Sequence, residues 1–331
     1  MNPSIIRWGI LSTARIGTQK VIPAMCDVSN AQITAIASRD KTKAQSAATE
    51  LGIPTAFGSY EELLDCPDVD AIYNPLPNHL HVDWTIRALE AGKHVLCEKP
   101  IGLNAADARR LVQACDRFPT LKVMEAFMYR FHPQWERALE LVRDESIGKL
   151  RAAQFTFCYC NTDATDIRNR VDAGGGALMD IGCYPISISR WLFGRQPNRV
   201  LGTLEFAEKF GTDILTTGIL DFGEGTATFT CATQLPRHQQ AKILGTAGRL
   251  ELPWPFNPDP DETAKLVHFG DTDETSFEFP PCNQYGLQVQ RMNDAILNDL
   301  PVPTPLVDAV ENMLVIDAMV ASSKSNGWID L

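Results

Sequence analysis

Short apolar runs and amphipathic stretches alternate along the first third of the chain. IIRWGIL, AQITAIAS, AIYNPL, HVLCEK and LKVMEAF read as strands, and Ile16 to Met25, Lys41 to Leu51 and His81 to Ala91 read as helices between them, the last closed by Gly92. Such alternation implies a parallel sheet with right-handed crossovers, so residues 1–126 are expected to form a doubly wound α/β domain. After about Gly148 the rhythm changes. LRAAQFTFCYC, NRVLGTLEF, ILTTGILDF, ATFTCATQL and AKILGTAGRLEL are β-branched and aromatic runs divided by turn residues, which predicts a large, mostly antiparallel open sheet within 127–306. A helix following Gly174-Gly175-Gly176 and running to Phe193 is expected to cover one face. A second subunit is expected to cover the other, as a homodimer or homotetramer, because a bare apolar face of that size is unusual on a monomer. A last helical stretch, Val307 to Ser322 after PVPTP, is expected to bring residues 307–331 back onto the first domain.

Composition narrows the classes. A chain of 331 residues holds about two domains with full cores. The net charge of −11 leaves no basic surplus to neutralise a phosphate backbone, so general nucleic-acid binding is not expected and any anionic ligand must be held locally. Nine scattered cysteines without a C-x-x-C pair fit reduced thiols in a cytoplasmic protein. Cys158 and Cys160 share a strand face without further ligands nearby, and His79-Leu80-His81 reads as a helix start rather than a ligand pair, so no metal is expected. No run approaches the ~20 apolar residues that span a bilayer, and the chain reaches Arg7 without an apolar leader, so neither membrane insertion nor secretion is expected.

WGILSTARIG stands where a strand enters a helix, the place at which a dinucleotide fold holds pyrophosphate. The glycine fingerprint would be G-x-G-x-x-G, whereas this chain has Ser12-Thr13-Ala14-Arg15-Ile16-Gly17 and keeps only the third glycine. Serine and alanine are small replacements, and anion binding uses backbone N–H groups and the helix start. The second strand ends in Ser38-Arg39, with Asp40 one residue later. An acidic residue there favours a ribose hydroxyl, whereas arginine with small polar groups accepts a 2′-phosphate. The pattern therefore predicts NADP, with Arg39 on the phosphate or over the adenine, and leaves NAD as the alternative through Asp40.

Two further stretches carry candidate chemistry. HVLCEKP ends a buried strand with Glu98 and Lys99 at the carboxyl edge, where open α/β sheets bind ligands, and Pro100 holds Lys99 in extended geometry. GGGALMDIGCYP places Asp180 and Tyr184 four apart, on one helical face. Pro185 removes the hydrogen bond to the Ile181 carbonyl, an interior defect of about 3 kcal/mol if uncompensated, which predicts a kink there. His132, before Pro133, is either a helix-start residue or a contact to substrate hydroxyls.

WGILSTARIG, SRD, NPLPNHLH, ALEAGKHVLCEKP, MEAFMYRFHPQ and GGGALMDIGCYP, in that order, resemble the glucose-fructose oxidoreductase / inositol dehydrogenase (Gfo/Idh/MocA) family over nearly the whole chain. Within it the chain looks most like the branch of NADP-dependent D-xylose 1-dehydrogenases and trans-dihydrodiol dehydrogenases. The resemblance implies a Rossmann domain and a C-terminal α/β domain whose open sheet serves oligomerisation. It implies that Lys99 is the catalytic lysine and that Asp180 and Tyr184 are the D-x-x-x-H/Y pair, the three meeting in one cleft. It places Tyr129 and Arg130 along the substrate and nicotinamide region, with Tyr184 also toward substrate. Ser12, Thr13, Ala14, Arg15, Ile16, Ser38, Arg39, Asn74, Pro75, Leu76, Asn78, His79, Glu98 and Lys99 fall toward the cofactor.

The implied reaction moves hydride between a carbinol carbon of a small sugar or diol and nicotinamide C4, and Tyr184 would take the hydroxyl proton. Its ordinary pKa of about 10 must fall by roughly 3 units to act near neutrality, worth about 4 kcal/mol. A lysine cation about 4 Å away contributes about 4 kcal/mol at an effective dielectric near 20. Asp180 would oppose this as bare charge, so its expected role is to orient Lys99 or bond the substrate. Two alternatives remain open at this point. One is a nucleotide-sugar ketoreductase, which shares the GGGAL-DIG-YPI pattern. The other is a non-catalytic cofactor-binding regulator, against which the presence of Lys99, Asp180 and Tyr184 argues.

Overall fold

The computed structural model describes residues 5–331. In chain order the elements are β1 (Ile6–Leu11), α1 (Ile22–Cys26), β2 (Ala31–Ala37), α2 (Lys41–Leu51), β3 (Thr55–Phe57), α3 (Tyr60–Leu64), β4 (Ala71–Asn74), α4 (Asn78–Glu90), β5 (His94–Cys97), α5 (Ala105–Cys115) and β6 (Val123–Glu125). They continue with α6 (Pro133–Arg143), β7 (Leu150–Cys160), α7 (Cys183–Phe193), β8 (Arg199–Phe206), β9 (Asp213–Asp221), β10 (Thr226–Ala232), β11 (Gln234–Gly245), β12 (Arg249–Leu252), β13 (Ala264–Phe269), β14 (Glu274–Phe279), α8 (Gln284–Leu297), α9 (Leu306–Ser325) and β15 (Ile329–Asp330). The chain divides into two compact units, residues up to Met128 with Asn283–Val310, and Tyr129–Cys282 with Glu311–Leu331.

The first unit is a six-stranded parallel sheet in the order β3-β2-β1-β4-β5-β6. Its strands read as unbroken apolar runs because helices cover both faces of a parallel sheet. On β1, Trp8, Ile10 and Leu11 are fully buried, and the Trp8 indole N–H donates to Asn293 Oδ1 at 3.1 Å. Asn293 lies on α8, so the helix that returns to this unit is 284–297. The periodicity pointed to 307–331 instead, and α9 from Glu311 onward belongs to the second unit. Helix α2 starts where Asp40 accepts from the Thr42 and Lys43 N–H groups, and it stops at Gly52, whose φ of +68° suits glycine.

The second unit is a nine-stranded sheet, β14-β13-β12-β11-β7-β10-β9-β8-β15, antiparallel except where β7 pairs with β10. β7 coincides with the run LRAAQFTFCYC. Ala153, Phe155 and Phe157 point to the core, and Ala227, Phe229 and Cys231 on β10 join them. On that side α9 packs so closely that a Cβ on Gly218 would stand 2.5 Å from Phe229 Cε1 and 2.9 Å from Met319 Cε. The opposite side carries Gln154, Thr156, Thr217, Thr228, Thr230, Gln240 and Lys242 around one shallow depression. This corrects the premise of an apolar outer face from which self-association was expected. At these positions the exposed sheet is threonine-rich, so desolvation gives much less drive for covering it.

The segment around Pro185 also differs from expectation. Leu178–Gly182 forms one π-helical turn that runs directly into α7, with Gly182 and Cys183 both in right-handed helical geometry, so Pro185 lies in a continuous helical run just after the π turn. The expected irregularity thus takes the form of a π-helical turn beside the proline, one way in which a helix accommodates a missing N–H donor.

Candidate functional site

The cofactor-side candidates gather at the carboxyl ends of β2, β1, β4 and β5, which are consecutive in the first sheet. Ser12, at the position of the missing first glycine, has φ +82°, a region that favours glycine, and its Oγ accepts from Ala14 N–H at 3.2 Å. The serine thus keeps the glycine's backbone shape and binds its own turn. Thr13, Ala14 and Ile16 are half-buried, Arg15 is exposed, and the helix that follows opens with a π-helical turn at Gly17–Val21.

At the end of β2, Ser38 is buried and its Oγ accepts from Asp40 N–H. The Asp40 carboxylate is engaged at the start of α2, bonded to Thr42 N–H at 2.9 Å and Lys43 N–H at 3.3 Å. Arg39 is exposed and donates to the Tyr60 hydroxyl. Burial raises the Tyr60 phenol, and the Arg39 cation acts the other way. The acid is therefore held by a helix while the guanidinium stands at the strand end. That donor set fits a dinucleotide with a 2′-phosphate better than one with a bare ribose.

In the loop after β4, Asn74 and Leu76 are buried, Pro75 joins them, and Asn78 and His79 open α4. Asn74 is a framework residue, because its Nδ2 donates to the His81 carbonyl at 3.1 Å and to Thr85 Oγ1 at 3.2 Å. His79 keeps a buried Nδ1 without a hydrogen-bond partner. After β5, Glu98 Oε1 accepts from the Tyr73 hydroxyl at 2.8 Å and Oε2 from Lys99 N–H at 3.3 Å. The carboxylate beside Lys99 is thus fixed by Tyr73. Burial and the Glu98 carboxylate hold the Tyr73 phenol well above its ordinary range.

In the second unit, Asp180 accepts from the Tyr159 hydroxyl at 2.6 Å and pairs with Arg168 Nε at 3.2 Å, both on Oδ2. Arg168 also pairs with Asp166 at 3.3 Å. The Asp180 charge is therefore partly offset within its own unit by a guanidinium that it shares with Asp166, which weakens the objection that it adds bare negative charge. Burial and the Asp180 carboxylate raise the Tyr159 phenol. Tyr184 is 4% exposed, its ring packed against Tyr129, Phe157 and Phe256 at centroid distances of 5.7, 5.5 and 5.5 Å.

Tyr129 is fully buried, and its hydroxyl donates to Ser187 Oγ at 2.8 Å. Arg130 Nη2 donates to the same Oγ at 2.6 Å, and its guanidinium lies over Trp191. Tyr129 packs behind Tyr184, and Arg130 is tied to the same serine as Tyr129. His132 is a helix-start residue. Its Nδ1 accepts from Gln134 N–H at 3.2 Å at the start of α6, and burial pushes the imidazole down to about 4.

The His132 shift has a consequence for stability. Unfolded, the ring titrates near 6.5, so between about pH 6.5 and 4 the unfolded chain binds more protons than the folded one. The contribution is fully present above pH 6.5 and is lost as the pH falls toward 4, up to about 3 kcal/mol. His132→Asn keeps a capping acceptor and removes the titration. Its unfolding free energy, measured with denaturant at several pH values, should fall less steeply between pH 6.5 and 4.5 than that of the wild type. Equal slopes would contradict this.

Tyr159, Arg168, Tyr73 and Ser187 were not singled out from the sequence. Only contact geometry marks them, since Tyr159 and Arg168 stand 21 and 12 residues before Asp180 in an ordinary strand and a polar loop.

Comparisons with known proteins identify the family. The family described as "Oxidoreductase family, NAD-binding Rossmann fold" matches residues 6–125, and the GFO/IDH/MocA C-terminal domain matches residues 135–251. The chain is 40% identical over 329 residues to D-xylose 1-dehydrogenase (NADP(+)) 2 of Haloferax volcanii, covering 98% of this chain and 99% of that protein. It is 34% identical over 251 residues to a trans-1,2-dihydrobenzene-1,2-diol dehydrogenase of Xenopus laevis, covering 75% of each. Among solved structures it is similar to KijD10, a 3-ketoreductase from Actinomadura kijaniata in complex with NADP and TDP-benzene, with a TM-score of 0.89 and 29% identity over 96% of this chain and 98% of that one. With both halves matched and a relative aligned along almost its full length, the chain belongs to the Gfo/Idh/MocA oxidoreductase family.

Proposed function

We propose that the protein is an NADP-dependent oxidoreductase acting on the CH–OH group of a small sugar or cyclic diol, with an aldose oxidised at C1 as the first choice. The observation that carries the reading is the end of β2, where Asp40 is held by its helix and Arg39 stands at the strand end, beside the exits of β1, β4 and β5. The 40% identity to an NADP(+)-dependent D-xylose 1-dehydrogenase supports the aldose. In this reading the first unit binds the cofactor and the second supplies substrate groups.

NADP would be held by the Ser12–Ile16 turn, by Ser38 and Arg39, and by the loops after β4 and β5, and it supplies the hydride acceptor. Tyr184 takes and returns the hydroxyl proton. Lys99 favours the phenolate through its charge, while Glu98, fixed by Tyr73, orients the lysine segment. Asp180, its charge partly offset by Arg168, bonds the substrate or steadies the proton-transfer groups. The nine cysteines, none of them in a disulfide, suit a reducing, cytoplasmic compartment. Among the described residues no helix is long and apolar enough to cross a membrane.

A second reading, a ketoreductase of nucleotide sugars, is favoured by the likeness to the 3-ketoreductase. The test is D-xylose deuterated at C1, incubated with NADP and the protein, followed by the mass of the cofactor. The aldose reading predicts reduced cofactor heavier by the transferred deuteron. Absence of label, together with NADPH oxidation by a keto-sugar nucleotide, would replace it with the second reading.

A further inference from the structure

We propose that His81 is a positioning residue, a buried pin that sets the spacing between the loop leaving β4 and the loop that carries Lys99. The ring is 1% exposed. Its Nε2 lies 2.6 Å from the Leu76 carbonyl oxygen and its Nδ1 lies 2.8 Å from the Pro100 carbonyl oxygen. Leu76 belongs to the β4 loop, and Pro100 directly follows Lys99. One imidazole therefore spans the carboxyl ends of two neighbouring strands.

The pin is itself anchored. Asn74 Nδ2 holds the His81 backbone carbonyl at 3.1 Å and Thr85 Oγ1 at 3.2 Å, and Asn74 Oδ1 accepts from Leu76 N–H at 3.3 Å. Asn74 thus fixes both the helical turn bearing the ring and the start of the loop that the ring contacts. With both nitrogens against carbonyls and no open face, the ring acts on chemistry only through these two loops.

Both partners of the ring are acceptors, and a neutral imidazole carries one N–H. Burial pushes the ring down to about 4, and the neighbouring Lys99 and His79 act in the same direction. Two carbonyl oxygens at 2.8 and 2.6 Å call for two N–H donors, which only the charged ring carries; the neutral ring donates to one carbonyl and turns a bare lone pair toward the other. The contact geometry therefore favours a ring that donates from both nitrogens and so fixes the gap between the loops, against the pull of burial and of Lys99.

The kinetic consequence rests on the oxidoreductase reading, with the β4 loop serving NADP affinity and the Lys99 loop serving turnover. His81→Asn keeps a donor near the Nδ1 position, and His81→Gln keeps one near the Nε2 position. The asparagine variant should hold kcat within about threefold and weaken NADP about tenfold, and the glutamine variant should do the reverse. His81→Phe keeps the ring volume, loses both ring nitrogens and should show both losses. NADP affinity is measured by fluorescence titration, and kcat is referred to the NADP-binding fraction, so a loss of folded protein alone moves neither number. Equal effects of the asparagine and glutamine variants on both quantities, or a phenylalanine variant that matches the wild type, would overturn the proposal.

A wild type that neither binds NADP nor turns over any sugar would sink the oxidoreductase reading instead. The pin is then judged by nitrogen-15 NMR of the cofactor-free protein. A His81 ring with a hydrogen-bonded N–H and no titration near pH 6.5 supports it. Two unbonded nitrogens titrating near 6.5 overturn it.

Discussion

Lys99→Met is expected to lower turnover by roughly 10²- to 10⁴-fold while leaving NADP affinity within a few-fold. Methionine fills much of the lysine's length without its charge. In the proposed mechanism the cation favours the Tyr184 phenolate: a phenol with an ordinary pKa of about 10 must be brought down by about 3 units to act near neutral pH, a change of about 4 kcal/mol. The residual activity should rise toward alkaline pH. Without the cation the phenol ionises only there, so the deficit at pH 10 should be much smaller than at pH 7. A pH-independent deficit would assign Lys99 to substrate binding, and unchanged turnover would remove it from the reaction. Glu98 beside it is fixed by Tyr73, so the backbone carrying the variant side chain has a reason to stay in place.

The second large effect concerns cofactor choice. Arg39→Ala should weaken NADP by about 10- to 150-fold, since a charge-assisted contact contributes roughly 1.5 to 3 kcal/mol, and should leave NAD little changed. The structure sharpens this expectation. Asp40, the residue through which NAD could have been favoured, accepts from two N–H groups at the start of α2 and would have to give up that cap to reach a ribose. Turning the acid away from the helix would cost about 1 kcal/mol in capping alone. Equal losses for the two cofactors would mean that Arg39 stacks on adenine. A wild-type preference for NAD would show that Asp40 leaves its helix.

What the sequence showed and what it hid have physical causes. Parallel strands buried on both faces stand out as apolar runs, so the runs marking β1, β2, β4, β5 and β6 were all legible. β7, half-buried and alternating, coincides with its run from Leu150 to Cys160. β13 and β14, AKLVHF and ETSFEF, carry charged and polar residues at the sheet edge and gave no such signal. α8, rich in glutamine and asparagine, was passed over in favour of the more apolar α9, although α8 returns to the first unit and bonds Trp8 through Asn293. Pro185 marked a helix irregularity, but spacing alone cannot show that it takes the form of a π-helical turn at Leu178–Gly182.

At the candidate site, motifs singled out Lys99, Asp180 and Tyr184 but not the groups that surround Asp180 and Tyr184. The partners of Asp180 come from other elements, and the two carbonyls that meet His81 belong to the backbone, which no side-chain pattern reveals.

The most direct measurement is a panel of aldoses, trans-dihydrodiols and keto-sugars, each offered with NADP or NAD in the oxidised or reduced form that it requires and followed at the reduced-nicotinamide absorbance band. The account predicts turnover of at least one aldose or dihydrodiol, faster with NADP than with NAD. A silent panel from a protein that demonstrably binds NADP would contradict it and leave a non-catalytic binder of the cofactor.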